Sequence, residues 1–180
     1  MKTLLTLVVL FFSSSVVAED ISDFEIEGIS IGDSLLDYLS LEEINKFYMS
    51  DYYPNSDKKY LTIEFTRDDI DILKKYDVLQ IIYKSDEKNF NIYAITGANY
   101  FNDISECEIK NNQIVKEIEL LLTNFEKTRI DFIHPGDPSE KSKVYGYEFE
   151  SPEKDSIQVA CYDWSDDIGY TDHLRIEIKK

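Results

Sequence analysis

The C-terminal part of the chain contains three consecutive segments in which apolar and polar residues alternate. Their apolar members are Tyr145, Tyr147 and Phe149, then Ile157, Val159 and Cys161, then Leu174, Ile176 and Ile178. Successive side chains of a β-strand point to opposite faces of a sheet, so this period of two predicts strands with one buried face. We therefore expect an antiparallel meander, and the rest of the chain has to cover its apolar face.

Earlier segments predict more strands and one long helix. Strands are expected at residues 23–27, 60–66, 78–84, 90–96 and 129–133. The third and fourth of these form a hairpin, and Gly97 ends the fourth. A helix is expected over residues 111–125, because its apolar residues fall on one stripe, namely Ile114, Ile118, Leu121, Leu122 and Phe125.

Three short helices are predicted, at residues 34–39, 41–48 and 68–75. Ser40 with Glu43, and Thr66 with Asp69, have the spacing of a capping box, in which each residue bonds the backbone of the other. Helices and strands come in runs rather than in strict alternation. This order predicts an α+β fold, an antiparallel sheet with one long amphipathic helix and short helices packed on one face.

The first residues have the pattern of a cleaved secretory signal peptide. Lys2 is followed by an apolar run over residues 4–12, three serines, and a small residue at Ala18. Cleavage there would leave a leader of residues 1–18 and a single soluble domain of residues 19–180, located in the periplasm or outside the cell. The alternative is an uncleaved anchor, but the apolar run is shorter than a bilayer span requires.

The charge of the chain limits its partners. The formal net charge is −17, and binding to nucleic acid or anionic lipid requires neutralising phosphates with Lys and Arg. We therefore expect no nucleic-acid partner. No stable membrane span is expected after cleavage, because no second run is apolar enough to cross a bilayer. The remaining partners are an unknown protein or a small ligand.

Two cysteines, Cys107 and Cys161, are the only ones in the chain. In an oxidising compartment an isolated pair favours a disulfide bond. Such a bond would connect the start of the long helix, just before which Cys107 is predicted to lie, to the middle strand of the meander. The alternative is two buried thiols that do not meet.

One segment has the form of a catalytic motif. Residues 28–32 read Gly-x-Ser-x-Gly between a strand and a helix, as in the nucleophile elbow of a hydrolase. Ser30, however, lies too near the mature N-terminus for earlier strands to build an oxyanion hole. The only histidines, His134 and His173, have no distinctive sequence setting. A tight turn is the favoured interpretation, and no catalytic residue is assigned.

Metal and cofactor chemistry have little support. The chain has too few His and Cys residues for a zinc site of ordinary spacing. Residues 163–169 offer carboxylates at intervals, but an EF-hand would need Gly at Ile168 and Glu at Leu174. A weak calcium module is the alternative there. The nucleotide-binding glycine motifs are absent, so no metal and no cofactor are predicted.

Aromatic residues offer candidate contacts. A group surrounds Pro54, consisting of Phe47, Tyr48, Tyr52, Tyr53 and Tyr60. The favoured interpretation of this group is a small core under a loop. If exposed, Tyr48, Tyr52 and Tyr53, together with Trp164, are the expected contacts for a ligand or partner.

The segment over residues 24–38, directly after the leader, resembles the start of small exported proteins of unknown function from marine alphaproteobacteria. It is more weakly similar to outer-membrane assembly lipoproteins of the SmpA/OmlA type, which also place an apolar residue, a Gly and a Ser ahead of a short helix. The first group implies no activity. We therefore expect a non-enzymatic binding or interaction protein, with a small secreted hydrolase using Ser30 or carboxylates as the alternative.

Overall fold

The computed structural model describes residues 20–49, 59–85 and 87–180. The predicted leader lies outside the described residues, as do Tyr52 and Tyr53. Two 3-10 helices span Ile21–Asp23 and Leu35–Asp37. The α-helices are α1 (Leu41–Lys46) and α2 (Ile104–Leu121). The strands are β1 (Glu25–Ile26), β2 (Ile29–Ser30), β3 (Tyr48–Met49), β4 (Tyr60–Thr66), β5 (Val78–Lys84), β6 (Ile92–Tyr100), β7 (Glu126–Ile133), β8 (Lys143–Glu150), β9 (Ser156–Asp163) and β10 (His173–Lys179).

Eight of these strands form one antiparallel sheet, which confirms the predicted α+β class. Its order is β3-β4-β5-β6-β10-β9-β8-β7, and β1 pairs separately with β2. Two meanders, one on each side of α2 in the chain, are joined where β6 pairs with β10. None of the helices in the described part of the chain has both the length and the hydropathy to cross a bilayer.

One face of the sheet, here the core face, is apolar. Strand register aligns a row of buried residues across six neighbouring strands, and the row runs Ile63, Ile81, Ile95, Ile178, Ile157 and Phe149. Helix α2 contacts β9 and β10 on this face. The segment from Ile21 to Leu35 adds further side chains to the same core. The other side, here the open face, carries Gln80, Thr96 and Arg175 in neighbouring strands.

Helix α2 begins seven residues earlier than predicted. The side chain of Asp103 accepts a hydrogen bond from the Ser105 N–H and caps the helix. Cys107 therefore lies inside the first turns of α2, and the prediction that it precedes the helix is wrong. The apolar stripe could not reveal this start, because the first buried positions of α2 include a cysteine and the polar Asn111.

Helix α1 has the predicted capping box. Ser40 accepts from the Glu43 N–H, and the Glu43 carboxylate accepts from the Ser40 N–H at 2.8 Å. The helix ends at Lys46, so the predicted extension to Tyr48 is wrong and Tyr48 begins β3. The Phe47 ring at the end of the helix packs 5.2 Å from the Phe65 ring in the core.

Two other predictions about elements are corrected. Residues 68–75 form turns rather than a helix, because a carboxylate from elsewhere, that of Glu27, accepts the N–H groups of Lys74, Lys75 and Tyr76. Gly97 does not end its strand, since β6 continues to Tyr100. A Cβ atom at Gly97 would lie 2.6 Å from the Tyr76 ring, so glycine is required there for packing.

Candidate ligand-binding site

A cavity of about 510 Å³ lies between α2, the N-terminal segment and the core face of the sheet. This space is here called the apolar cavity. Its walls are mainly aliphatic and aromatic, and they include Phe24, Ile26, Ile114, Ile118, Leu174 and Ile176. Cavities of roughly 300–1,000 Å³ with this kind of lining hold most small ligands of proteins.

The rim of the apolar cavity carries charged and polar groups, and some of them already have partners in the protein. Asp77 pairs with Arg67 at 3.3 Å, and the Asn99 amide donates to the Lys75 carbonyl at 2.9 Å. Lys110, which projects from α2, is half-buried. Within the described residues, Lys110 has no ion-pair partner. A partly desolvated ammonium group that is not in a direct ion pair favours an anionic partner.

The wall formed by the N-terminal segment is fixed by Glu27. This residue adopts a left-handed backbone with φ 56°, which turns the chain between β1 and β2. Its carboxylate accepts the Lys74 N–H at 2.8 Å and the Tyr76 N–H at 2.9 Å. Burial raises the pKa of Tyr76 to about 12, so its hydroxyl stays neutral. The contacts join two rim segments that are far apart in sequence.

Helix α2 is fastened over the cavity by two buried links to β9. Cys107 and Cys161 form a disulfide with a Cα–Cα distance of 6.0 Å, which confirms the predicted bond. One turn further along, the buried amide of Asn111 donates to the Val159 carbonyl at 3.0 Å. Both links tie the same helix face to the same strand, so covalent and polar contacts as well as packing hold α2 against the sheet.

Both histidines of the chain lie in one aromatic cluster beside the open face. The His–Trp cluster consists of His134, Tyr162, Trp164, Tyr170 and His173. The Tyr162 and His173 rings stack at 4.7 Å. Trp164 lies 4.4 Å from His134 and 4.8 Å from Tyr170. Tyr170 is 64% exposed, so the cluster reaches solvent.

The environment of the cluster opposes protonation of its histidines. Burial lowers the pKa of His134, and the positive charge of Arg175 lowers it further, against the opposing charge of Asp137. Burial also lowers the pKa of His173, against a hydrogen bond to the Thr171 carbonyl. Both rings are therefore predominantly neutral at pH 7.

The predicted contact residues do not form one site. Trp164 belongs to the His–Trp cluster. Tyr48 lies on β3 at one edge of the sheet and is 42% exposed. Trp164 follows β9, five strands away in the sheet order. That Tyr48 and Trp164 contact a ligand or partner therefore stays a prediction.

Among the described residues, neither histidine lies on the same side of the sheet as Ser30. Ser30 lies in β2, where its N–H donates to the Asp33 carboxylate at 2.9 Å. Gly28 and Gly32 adopt positive φ angles of 79° and 89°, as a tight turn requires. His173 projects from the open face, whereas the segment containing Ser30 packs against the core face.

Two acidic side chains of the loop after β9 form contacts within the protein. Asp167 pairs with Lys141 at 2.8 Å, and Asp172 accepts the Trp164 N–H at 2.7 Å. Across the described ranges, no three or more His, Cys, Asp or Glu side chains are grouped so that they could hold a metal ion.

Sequence patterns missed both the apolar cavity and the His–Trp cluster. One signal for the cluster was present, since Tyr162 and His173 flank the connection between two strands predicted to be neighbours. Comparisons with protein-family models, curated proteins and solved structures found no match to this chain.

Proposed function

We propose that this protein is a non-enzymatic binding protein whose ligand is a small, mainly apolar molecule with one anionic end. The observation that carries this proposal is the apolar cavity of about 510 Å³ between α2 and the sheet. Transfer of apolar ligand surface into such a cavity is favourable by roughly 25 cal/mol per Å² before the costs of association. The cavity is large enough for a drug-sized ligand.

The anionic end of the ligand is inferred from Lys110. Its ammonium group is at the cavity rim and half-buried, and it forms no ion pair among the described residues, although Glu25 and Glu117 line the same cavity. A carboxylate that enters with its apolar body in the cavity would complete a charge-assisted hydrogen bond with Lys110. The strongly negative remainder of the chain disfavours ligands with several negative charges.

A fluorescence titration tests this proposal. The probe is 1-anilinonaphthalene-8-sulfonate, which has an apolar body and one anionic group, with displacement by saturated carboxylic acids of increasing length. Lys110→Gln should weaken binding of the acids by about 10- to 100-fold, the usual effect of losing one hydrogen bond to a charged group. Lys116→Gln, an exposed position on the same helix, is the matched control and should bind normally.

A cavity-filling variant separates this site from the rest of the surface. Ile114→Trp places a larger ring inside the apolar cavity and should abolish binding, while its circular dichroism spectrum stays that of the parent. Unchanged affinity in this variant, or no binding by the parent protein, would show that the cavity is not the site.

We also propose export to the periplasm or the cell exterior. Support comes from the buried disulfide, since such bonds persist in oxidising compartments, and from the leader pattern of residues 1–18. Intact-mass measurement of the protein recovered from a bacterial periplasmic extract tests it. The expected N-terminus is Glu19, and recovery of the chain with Met1 in the cytosol alone would contradict the proposal.

A further inference from the structure

Strand β7 ends the sheet and exposes its outer edge. It pairs with β8 over eight residues, and the sheet order places no described strand on its other side. Seven of its residues are exposed and Ile130 is half-buried. Long exposed edges of this kind present unpaired N–H and C=O groups that another strand can use.

The hydrogen bonds between β7 and β8 show which backbone groups of β7 point away from the sheet. The His134 N–H donates to the Ser142 carbonyl at 2.9 Å. In an antiparallel strand the N–H and C=O of one residue point to the same side, and that side alternates along the chain. The even-numbered residues of β7 therefore face β8. The outward backbone groups belong to the odd-numbered residues, Lys127, Arg129, Asp131 and Ile133.

One common protection of an edge strand, an outward-projecting lysine, is weak in β7. Lysines guard exposed edges by projecting a charge that resists pairing. Lys127, however, folds back to the Glu119 carboxylate at 3.1 Å and lies over the Tyr147 ring at 4.3 Å. Towards its end the strand exposes Phe132 and Ile133, at 46% and 44%.

The charges of β7 complement a second copy of the same strand. We propose that two copies of this protein pair through antiparallel β7 strands about a two-fold axis at Ile130, which joins the two sheets. Arg129 and Asp131 of one chain already pair with each other at 3.0 Å. In this register Arg129 also lies opposite Asp131 of the partner subunit, and the reverse pair forms on the other side of the axis. The outward backbone groups of the odd-numbered residues then bond one another in four pairs.

The distribution of charge also favours a second copy of this protein as the partner of β7. The chain as a whole is strongly negative at −17, so most of its surface repels a second copy. β7 carries two acids and two bases, namely Glu126, Asp131, Lys127 and Arg129. The edge is therefore a locally neutral strip in which two bases lie between two acids, and adjacent registers would place Arg129 or Asp131 opposite its own copy.

Cysteine cross-linking tests the register directly. Two-fold-related residues in a non-hydrogen-bonded pair have Cα atoms about 4.5 Å apart, within the range of a disulfide. Ile130→Cys should therefore form a covalent dimer under mild oxidation on a non-reducing gel. Thr128→Cys, on the same face of β7, is the matched control. It should stay monomeric alone but cross-link when mixed with Phe132→Cys, which it faces across the axis. Equal cross-linking of Ile130→Cys and Thr128→Cys would overturn the register.

Charge exchange tests the pairing without cysteines. Light scattering over a concentration series should show the parent mass rising from one chain towards two. Arg129→Glu and Asp131→Arg should each stay monomeric at concentrations where the parent dimerises, because each places like charges opposite one another. The double exchange R129E/D131R should dimerise again. A parent that stays monomeric throughout, or a double variant that behaves like the singles, refutes the proposal. Equal melting temperatures would show that all variants fold.

Discussion

Removing the disulfide tests how α2 is held against the sheet. The variant is the double substitution C107A/C161A, which leaves no unpaired thiol. Both cysteines are fully buried, and alanine keeps the positions apolar. The expected result is a folded protein of clearly lower stability, because the hydrogen bond from Asn111 still fastens the same helix to β9.

The magnitude follows from the length of chain that the bond closes. The two cysteines are separated by 54 positions. Constraining a loop of that length in the unfolded chain contributes about 4 kcal/mol in the chain-entropy treatment. For a domain of this size each kcal/mol corresponds to roughly 2–4 °C, so the melting temperature should fall by roughly 8–16 °C.

Urea unfolding of the parent and the variant, each with and without reductant, is the assay. The parent should lose about 4 kcal/mol on reduction, and its denaturant slope should rise because the uncrosslinked chain exposes more surface on unfolding. The stability of the variant should be the same with and without reductant, so the variant serves as the control for any other effect of the reductant. A loss under about 1 kcal/mol, or an unchanged slope, would refute the unfolded-state explanation and assign the stability of α2 to its packing.

Three further predictions concern individual contacts. Gly146→Ala should lower the free energy of unfolding by about 2 kcal/mol or more, because its Cβ would lie 2.1 Å from the Val159 carbonyl oxygen; a urea midpoint equal to the parent's contradicts this. Asn111→Ala should cost about 1 kcal/mol in the same assay, since it removes a buried hydrogen bond between α2 and β9; a urea midpoint equal to the parent's contradicts this. Burial lowers the pKa of His134 and of His173, so the unfolded chain binds protons below about pH 6.5 that the native cluster resists. The free energy of unfolding should then fall from pH 7 to 5.5 by at most about 1.4 kcal/mol per pH unit for each ring. The variant H134Q/H173Q should show a smaller pH dependence. An equal pH dependence in the variant would assign the effect to other groups.

Local patterns predicted the elements whose partners are close in sequence. β5 has the predicted bounds, and Ser40 and Glu43 cap α1 as their spacing indicates. The disulfide was predictable because the chain offers a single pair of cysteines. The start of α2 was missed because its signal is the cap at Asp103 and not an apolar residue.

Tertiary contacts explain the predictions that were wrong. The Asp69 carboxylate accepts the Thr66 N–H, which is one half of the expected capping box, but no helix follows. The competing carboxylate comes from Glu27, more than forty residues earlier in the chain, and no local pattern contains that information. The apolar cavity has a similar origin, because a void depends on how far two packed elements stand apart and not on the period of either one.

The pairing of β6 with β10 explains why the two faces of the sheet differ in chemistry. On the core face Ile95 pairs with Ile178, as one step in the buried row. The next residue of β6, Thr96, pairs with Glu177, which pairs in turn with Gln158. These three residues form a polar row on the open face. Alternate residues of β10 thus serve different sites, with Ile176 in the wall of the apolar cavity and His173 in the His–Trp cluster. A slip of β10 by one residue would exchange the two sets and bury charge. The strand register that forms the core therefore also determines the positions of the apolar cavity and the His–Trp cluster. Only the apolar residues of this register form a pattern that can be recognised in the sequence.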